Sequence, residues 1–104
     1  MNSICVFGVF VADLCFFGET IPVKGQTVLG KNHIVGPGGK GSNQAIAAAR
    51  LKGDVHFITK IGQDSHADMA LKLYKKAQIN INSIIQDKNL STGVAGIMID
   101  EKGH

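Results

Sequence analysis

The chain has no tryptophan, only two prolines and two cysteines among its 104 residues, and only 6% of its side chains are aromatic. Each shortage excludes something. Cys5 and Cys15 lack C-x-x-C spacing and Cys5 lies in an apolar run, which predicts buried free thiols rather than a disulfide framework. His33, His56, His66 and His104 are scattered without ligand spacing, so no metal site is predicted. No apolar run reaches the ~20 residues that span a bilayer. The sequence opens directly into an apolar segment without the charged start of a secretory signal, the pattern of a cytoplasmic protein. Eleven basic residues against eight acidic ones give a net charge of +3, but the lysines are dispersed, whereas a nucleic-acid surface clusters them and interleaves aromatics. With 44% apolar and 18% charged side chains, the composition is that of one globular domain or a piece of a larger one.

Glycine is plentiful. Four of the 13 glycines fall within Gly36-Pro37-Gly38-Gly39-Lys40-Gly41, which runs through Ser42-Asn43-Gln44 into Ala45-Ile46-Ala47-Ala48-Ala49-Arg50-Leu51. The small residues predict a helix from about Asn43 to Leu51 packed closely on a sheet, with Gly53 as its stop. The loop would then deliver amide N–H groups, one lysine and one asparagine to a helix N-terminus, where orphan donors and the positive dipole end favour polar or anionic oxygens.

Around this loop the chain reads in order. Ile4-Cys5-Val6-Phe7, followed by Gly8, predicts a parallel strand buried on both faces. Val9 to Asp13 extends it and ends in a carboxylate, the strand end at which open α/β sheets collect ligands. Leu14 to Phe17 and Thr27 to Val35 predict two further β segments around the turn-rich residues 18–25, an excursion longer than a compact βα connection needs and therefore an inserted flap. Val55 to Thr59 predicts the second parallel strand. Asp64 or Ser65 caps a second helix through about Ala77, with Met69, Leu73 and Ala77 on one buried face. Asn80 to Asn89 is mostly connection, Val94 to Ile99 a further strand, and Asp100 to His104 a turn. The order predicts an α/β fold with right-handed crossovers and a largely parallel sheet. Two helices are too few to cover both faces of such a sheet, the expectation for an N-terminal fragment.

Three chemistries suit a glycine loop. The spacing from Gly36 to Gly41 matches G-x-G-x-x-G, but that fingerprint belongs in the turn after a first strand with an acidic residue about 20 positions on, and Asp54 comes too early. A P-loop needs glycine, lysine and serine or threonine in that order, whereas Lys40 here precedes Gly41. The third chemistry uses the side chains as well. The Gly38 and Gly39 amides, Lys40 and Asn43, facing Asp13, mix donors and acceptors as vicinal sugar hydroxyls require, and an ionised carboxylate accepts from two hydroxyls at once.

The run Gly38-Gly39-Lys40-Gly41-Ser42-Asn43-Gln44-Ala45, with Ala47-Ala48-Ala49-Arg50-Leu51, resembles the ribokinase family of carbohydrate kinases. Supporting matches span the chain: Gly8 with Asp13, Pro22 and Gly25 before Thr27, Gly62 with Asp64, and Thr92-Gly93-Val94-Ala95. The resemblance implies a Rossmann-like, mainly parallel sheet flanked by helices, plus a small β lid that closes over the sugar and pairs with the lid of a second subunit in a homodimer. Residues 1–104 would be the N-terminal part of such a kinase domain, with lid segments near 14–35 and 92–99. Also implied is phosphoryl transfer from ATP, with Mg2+, to the primary hydroxyl of a pentose such as D-ribose, with K+ as an activator. By position, the resemblance places sugar binding at Val11-Ala12-Asp13 and at Gly39, Lys40, Gly41, Ser42 and Asn43. The family's catalytic aspartate lies in a later Gly-x-Gly-Asp motif that these 104 residues do not contain, so the chain alone is expected to be catalytically incompetent.

One departure carries information. The family's ribose-specific members have an asparagine two residues before the aspartate, where this chain has Val11. An apolar side chain there tolerates a sugar lacking a hydroxyl, which makes 2-deoxyribose the rival substrate. From other classes, the alternatives are a non-catalytic nucleotide-binding module using Gly36 to Gly41 and a free-standing interaction protein.

Overall fold

The apolar run that begins at Ile4 is not one strand through Asp13. The structure, a computed structural model describing residues 2–104, breaks it at Gly8 into β1 (Ser3–Phe7) and β2 (Val11–Phe17), which belong to different sheets. Gly8 still donates to the Ile58 carbonyl of the first sheet at 3.2 Å, after which the chain crosses over with Phe10 buried in the core. The crossing depends on the absence of a side chain: a Cβ on Gly8 would lie 2.8 Å from the Gly41 Cα, inside van der Waals contact. Asp13 is therefore not the end of the first strand but the third residue of a strand in a second sheet.

The second sheet has the order β3-β2-β6, with β3 (Asn32–Gly38) antiparallel and β6 (Val94–Ile99) parallel to β2. The segment predicted at Thr27 to Val35 is shifted along the chain, because the strand absorbs Gly36, Pro37 and Gly38 from the expected loop. Pro37 is tolerated because β3 is an edge strand, where a missing N–H breaks no ladder. The glycine loop thus shrinks to Gly39, and helix α1 starts at once, Lys40–Arg50 instead of Asn43 to Leu51. Gly53 is not the residue that takes the left-handed turn after it. Lys52 does, at φ 70°, while the Gly53 N–H donates to the Ala48 carbonyl at 3.0 Å.

The first sheet has the order β1-β4-β5, all parallel, with β4 (Asp54–Ile61) central and β5 (Ile84–Gln86) a short edge strand within the expected connection. Helix α2 (Ser65–Lys76) is capped by Asp64, one of the two residues its sequence offers, the carboxylate accepting from the Ala67 N–H at 2.9 Å. Successive right-handed crossovers stepping in one direction, β1 to β4 to β5, put both helices on one face. Ala45, Ile46 and Ala49 of α1 and Ala67, Ala70 and Tyr74 of α2 meet Val55, Phe57 and Ile61 of β4 there. Fully burying a side chain such as Phe57 contributes roughly 1.5–3 kcal/mol. The innermost face of α2 is Ala67-Ala70-Tyr74; Met69, Leu73 and Ala77 flank it, partly buried.

The opposite face of this sheet is uncovered, which corrects the expectation of a strand buried on both sides. Phe7 is 85% exposed, and Cys5, expected inside, is an exposed free thiol. Cys15 is free as well and half-buried. No helix among the described residues is long and apolar enough to cross a membrane.

Candidate sugar-binding site

The second sheet presents Asp13 on a face from which its neighbours have been removed. In register, Asp13 lies opposite Gly36 and Val11 opposite Gly38 on β3, and paired residues share a face. With glycine at both places, the Asp13 carboxyl group folds over the Gly38 Cα: a Cβ there would come within 2.6 Å of the carboxyl carbon. Among the described residues the carboxylate takes part in none of the ion pairs, which join Asp54 to His56, Lys60 to Asp87 and Asp100 to His104. Among the described residues it is an acceptor without a hydrogen-bond partner, packed over the Gly38 backbone.

Beside it begins α1. Gly39 is the N-cap at φ 93°, a left-handed conformation that an L side chain adopts only with strain, and a Cβ there would also strike the Val9 carbonyl oxygen. Having no side chain, Gly39 cannot cap the helix, and the first turn holds no acidic residue, so the positive end of α1 is not neutralised locally. Lys40 and Asn43 are exposed and stand three residues apart on one side of the helix. The backbone N–H of Asn43 closes the first turn on the Gly39 carbonyl at 2.9 Å, and among the described residues its amide side chain has no hydrogen-bond partner.

The other predicted positions divide. Ala12 is fully buried on the face opposite Asp13. Ser42 is fully buried too, its hydroxyl 2.7 Å from that of Tyr74 and its N–H donating to the Val9 carbonyl at 3.3 Å, so it supports the turn from below. Gly41 is where the helix backbone meets Gly8. Val11 is half-buried, against Gly93. The structure therefore brings Asp13, Gly38, Gly39 and the first turn of α1 to one crossing point and turns Ala12 and Ser42 into the core. Tyr74, fully buried, was not singled out from sequence, and Thr92, buried as well, entered there only within the Thr92-Gly93-Val94-Ala95 match. The internal spacing of a core tyrosine does not reveal its partner.

Gly36 and Gly38 are strand residues, so the G-x-G-x-x-G spacing forms no phosphate-cradling turn. Among the described residues no three His, Cys, Asp or Glu side chains come together as a metal cluster. A carboxylate beside a helix N-terminus with one ammonium and one amide is instead a set suited to a neutral polyol.

The chain matches the pfkB family carbohydrate kinase domain over residues 1–104. It belongs to the pfkB family of carbohydrate kinases. Within that family it is 36% identical over 101 residues to the ribokinase of Bacillus subtilis, covering 97% of this chain and 34% of the relative. It is 35% identical over 98 residues to the deoxyribokinase of Salmonella typhi, covering 94% of this chain and 32% of the relative. The solved structure of Arabidopsis thaliana ribokinase, complexed with ribose and ATP, superposes with a TM-score of 0.90 at 28% identity, over 98% of this chain and 33% of that one. The α/β fold with a parallel sheet is thus that of the pfkB family, and the chain spans about a third of the length of these relatives.

Proposed function

We propose that residues 1–104 are the sugar-binding, N-terminal part of an ATP-dependent kinase that transfers the γ-phosphate to the primary hydroxyl of a pentose, D-ribose foremost. The observation that carries this reading is the unpaired Asp13 carboxylate lying over Gly38 beside the uncapped start of α1. Asp13 accepts from two sugar hydroxyls, each charge-assisted bond contributing roughly 1.5–3 kcal/mol, while Lys40, Asn43 and the Gly39 amide donate to the sugar oxygens. The second sheet is the lid, Val11–Phe17, Asn32–Gly38 and Val94–Ile99 being its strands. Its face away from Asp13 exposes Phe16, Val35, Val94 and Met98, the apolar surface on which a second subunit's lid would pack in a homodimer.

The catalytic base and the nucleotide pocket belong to parts of the gene product beyond these residues. Mg2+ enters with ATP as co-substrate and K+ as an activator, both held by those later parts. ATP-dependent phosphate transfer by the intact gene product, in the cytoplasm-like presence of magnesium and potassium, is to be measured on ribose, 2-deoxyribose, fructose and adenosine. Transfer to a pentose, lost in Asp13→Asn, supports the reading; transfer to none of the four overturns it. A second reading keeps the reaction and changes the sugar to 2-deoxyribose, favoured by Val11 on the Asp13 face and by the similarity to a deoxyribokinase.

A further inference from the structure

The two sheets share no strand, and the chain passes between them three times: at Gly8 to Phe10, at Gly39, and between β5 and β6. The first two passages are held by glycine backbones in mutual contact. The third is held by a carboxylate. Asp64 accepts from the Thr92 N–H at 2.8 Å and from the Thr92 hydroxyl at 2.7 Å, besides capping α2, and the Thr92 hydroxyl in turn accepts from the Gly62 N–H at 2.9 Å. Thr92 is only 4% exposed, and a Cβ on Gly62 would lie 2.8 Å from the Thr92 nitrogen, so the passage has no slack. The next residue, Gly93, accepts from the Ala12 N–H at 2.9 Å, and β6 then runs beside β2 with Ala95 opposite Asp13.

We propose that Asp64 is a positioning residue for the sugar site: through Thr92 it fixes where β6 starts, and β6 fixes the strand that carries Asp13. This rests on the reading of Asp13 as a sugar-binding group. The knot consists of none of the residues proposed to bind the sugar. A capping carboxylate needs one acceptor contact; here both oxygens are used, and the additional bonds all go to the residue that launches β6. Removing them frees the start of β6 and lets Asp13 drift from its place over Gly38, a displacement that binding geometry amplifies.

The test compares Asp64→Asn, Thr92→Val and Thr92→Ser with wild type. Asparagine remains a good N-cap: its oxygen keeps the place of Oδ1, which accepts from the Ala67 N–H and the Thr92 hydroxyl, and its NH2 replaces the Oδ2 that accepts from the Thr92 N–H, while serine at 92 retains the hydroxyl. Amide hydrogen exchange in the chain should quicken at Ala12 and along Val94–Ile99 in Asp64→Asn and Thr92→Val, and return toward wild type in Thr92→Ser. In the intact gene product the KM for sugar should rise about tenfold in the same two variants, with kcat and the KM for ATP nearly unchanged. Unchanged exchange at Ala12, or a common fall in all kinetic parameters, overturns the proposal in favour of a purely structural knot. If wild type phosphorylates no pentose, the sugar reading fails by itself, and exchange at Ala12 still decides whether Asp64 positions β2.

Discussion

The hydroxyl groups of Ser42 and Tyr74 lie 2.7 Å apart in the interior, joining the first turn of α1 to α2 directly beneath the candidate site. Both side chains are fully buried, and the Tyr74 ring also packs edge-on against Phe57 at 5.3 Å. Ser42→Ala or Tyr74→Phe each strands one buried hydroxyl and should cost about 1–3 kcal/mol, whereas the double variant should cost less than their sum. Urea unfolding of the four proteins measures this. Burial pushes the Tyr74 pKa up to about 12, partly opposed by the Ser42 bond. The unfolded chain loses its tyrosine proton near 10, so this stabilising difference is present below that pH and is lost as pH rises toward about 12. Tyr74→Phe should remove that alkaline decline.

Gly38 and Gly39 are adjacent but should fail differently. Gly39→Ala strains a backbone at φ 93° and collides with Val9, which should destabilise the fold by about 1–3 kcal/mol. Gly38 has no left-handed backbone, so alanine there disturbs chiefly the Asp13 carboxylate that lies over it. Gly38→Ala should weaken sugar binding about tenfold or more with a small change in unfolding midpoint. Calorimetric titration with ribose beside thermal unfolding separates the two effects.

Acid should loosen the passage between the sheets before it unfolds the core. The Thr92 N–H, then the Ala67 N–H and the Thr92 hydroxyl hold the Asp64 carboxyl below its usual range. A carboxylate with a lowered folded pKa stabilises fully above its unfolded value and loses that contribution as pH falls through the folded one. Asp87, held down by the Asn89 N–H, by Lys60 at 3.0 Å and by the Leu90 N–H, acts with the same sign on the neighbouring turn. Acid titration followed by exchange at Ala12 should therefore show a transition below pH 4 in wild type that is absent in Asp64→Asn.

Val11 is where the sugar preference should be decided. It sits on the Asp13 face opposite Gly38, and an amide introduced there would gain a donor and an acceptor within the same site. Val11→Asn should shift the ratio of kcat/KM values toward ribose over 2-deoxyribose by about tenfold or more. An unchanged ratio would mean that other groups read the 2-hydroxyl.

Much of this protein is written in short stretches. Asp64 or Ser65 before an amphipathic run specified a helix cap, and the apolar run from Val94 to Ile99 specified a strand with the observed ends, because both signals depend on residues close to one another in the chain. The residue types of the proposed site are read from sequence for the same reason: Asp13, Gly39, Lys40 and Asn43 carry their chemistry in their side chains, or in the lack of one. What tertiary structure alone decided was which segment joins which sheet. Gly8 divides an uninterrupted apolar run because α1 returns to touch it at Gly41, and Gly36 to Gly38 become strand because β2 lies alongside to pair with them. Cys5 is exposed because both helices fall on the other face, and Ser42 turns inward because Tyr74, 32 residues later, meets it there. Pattern encodes what a segment can form; contacts between segments distant in the chain determine where it lies.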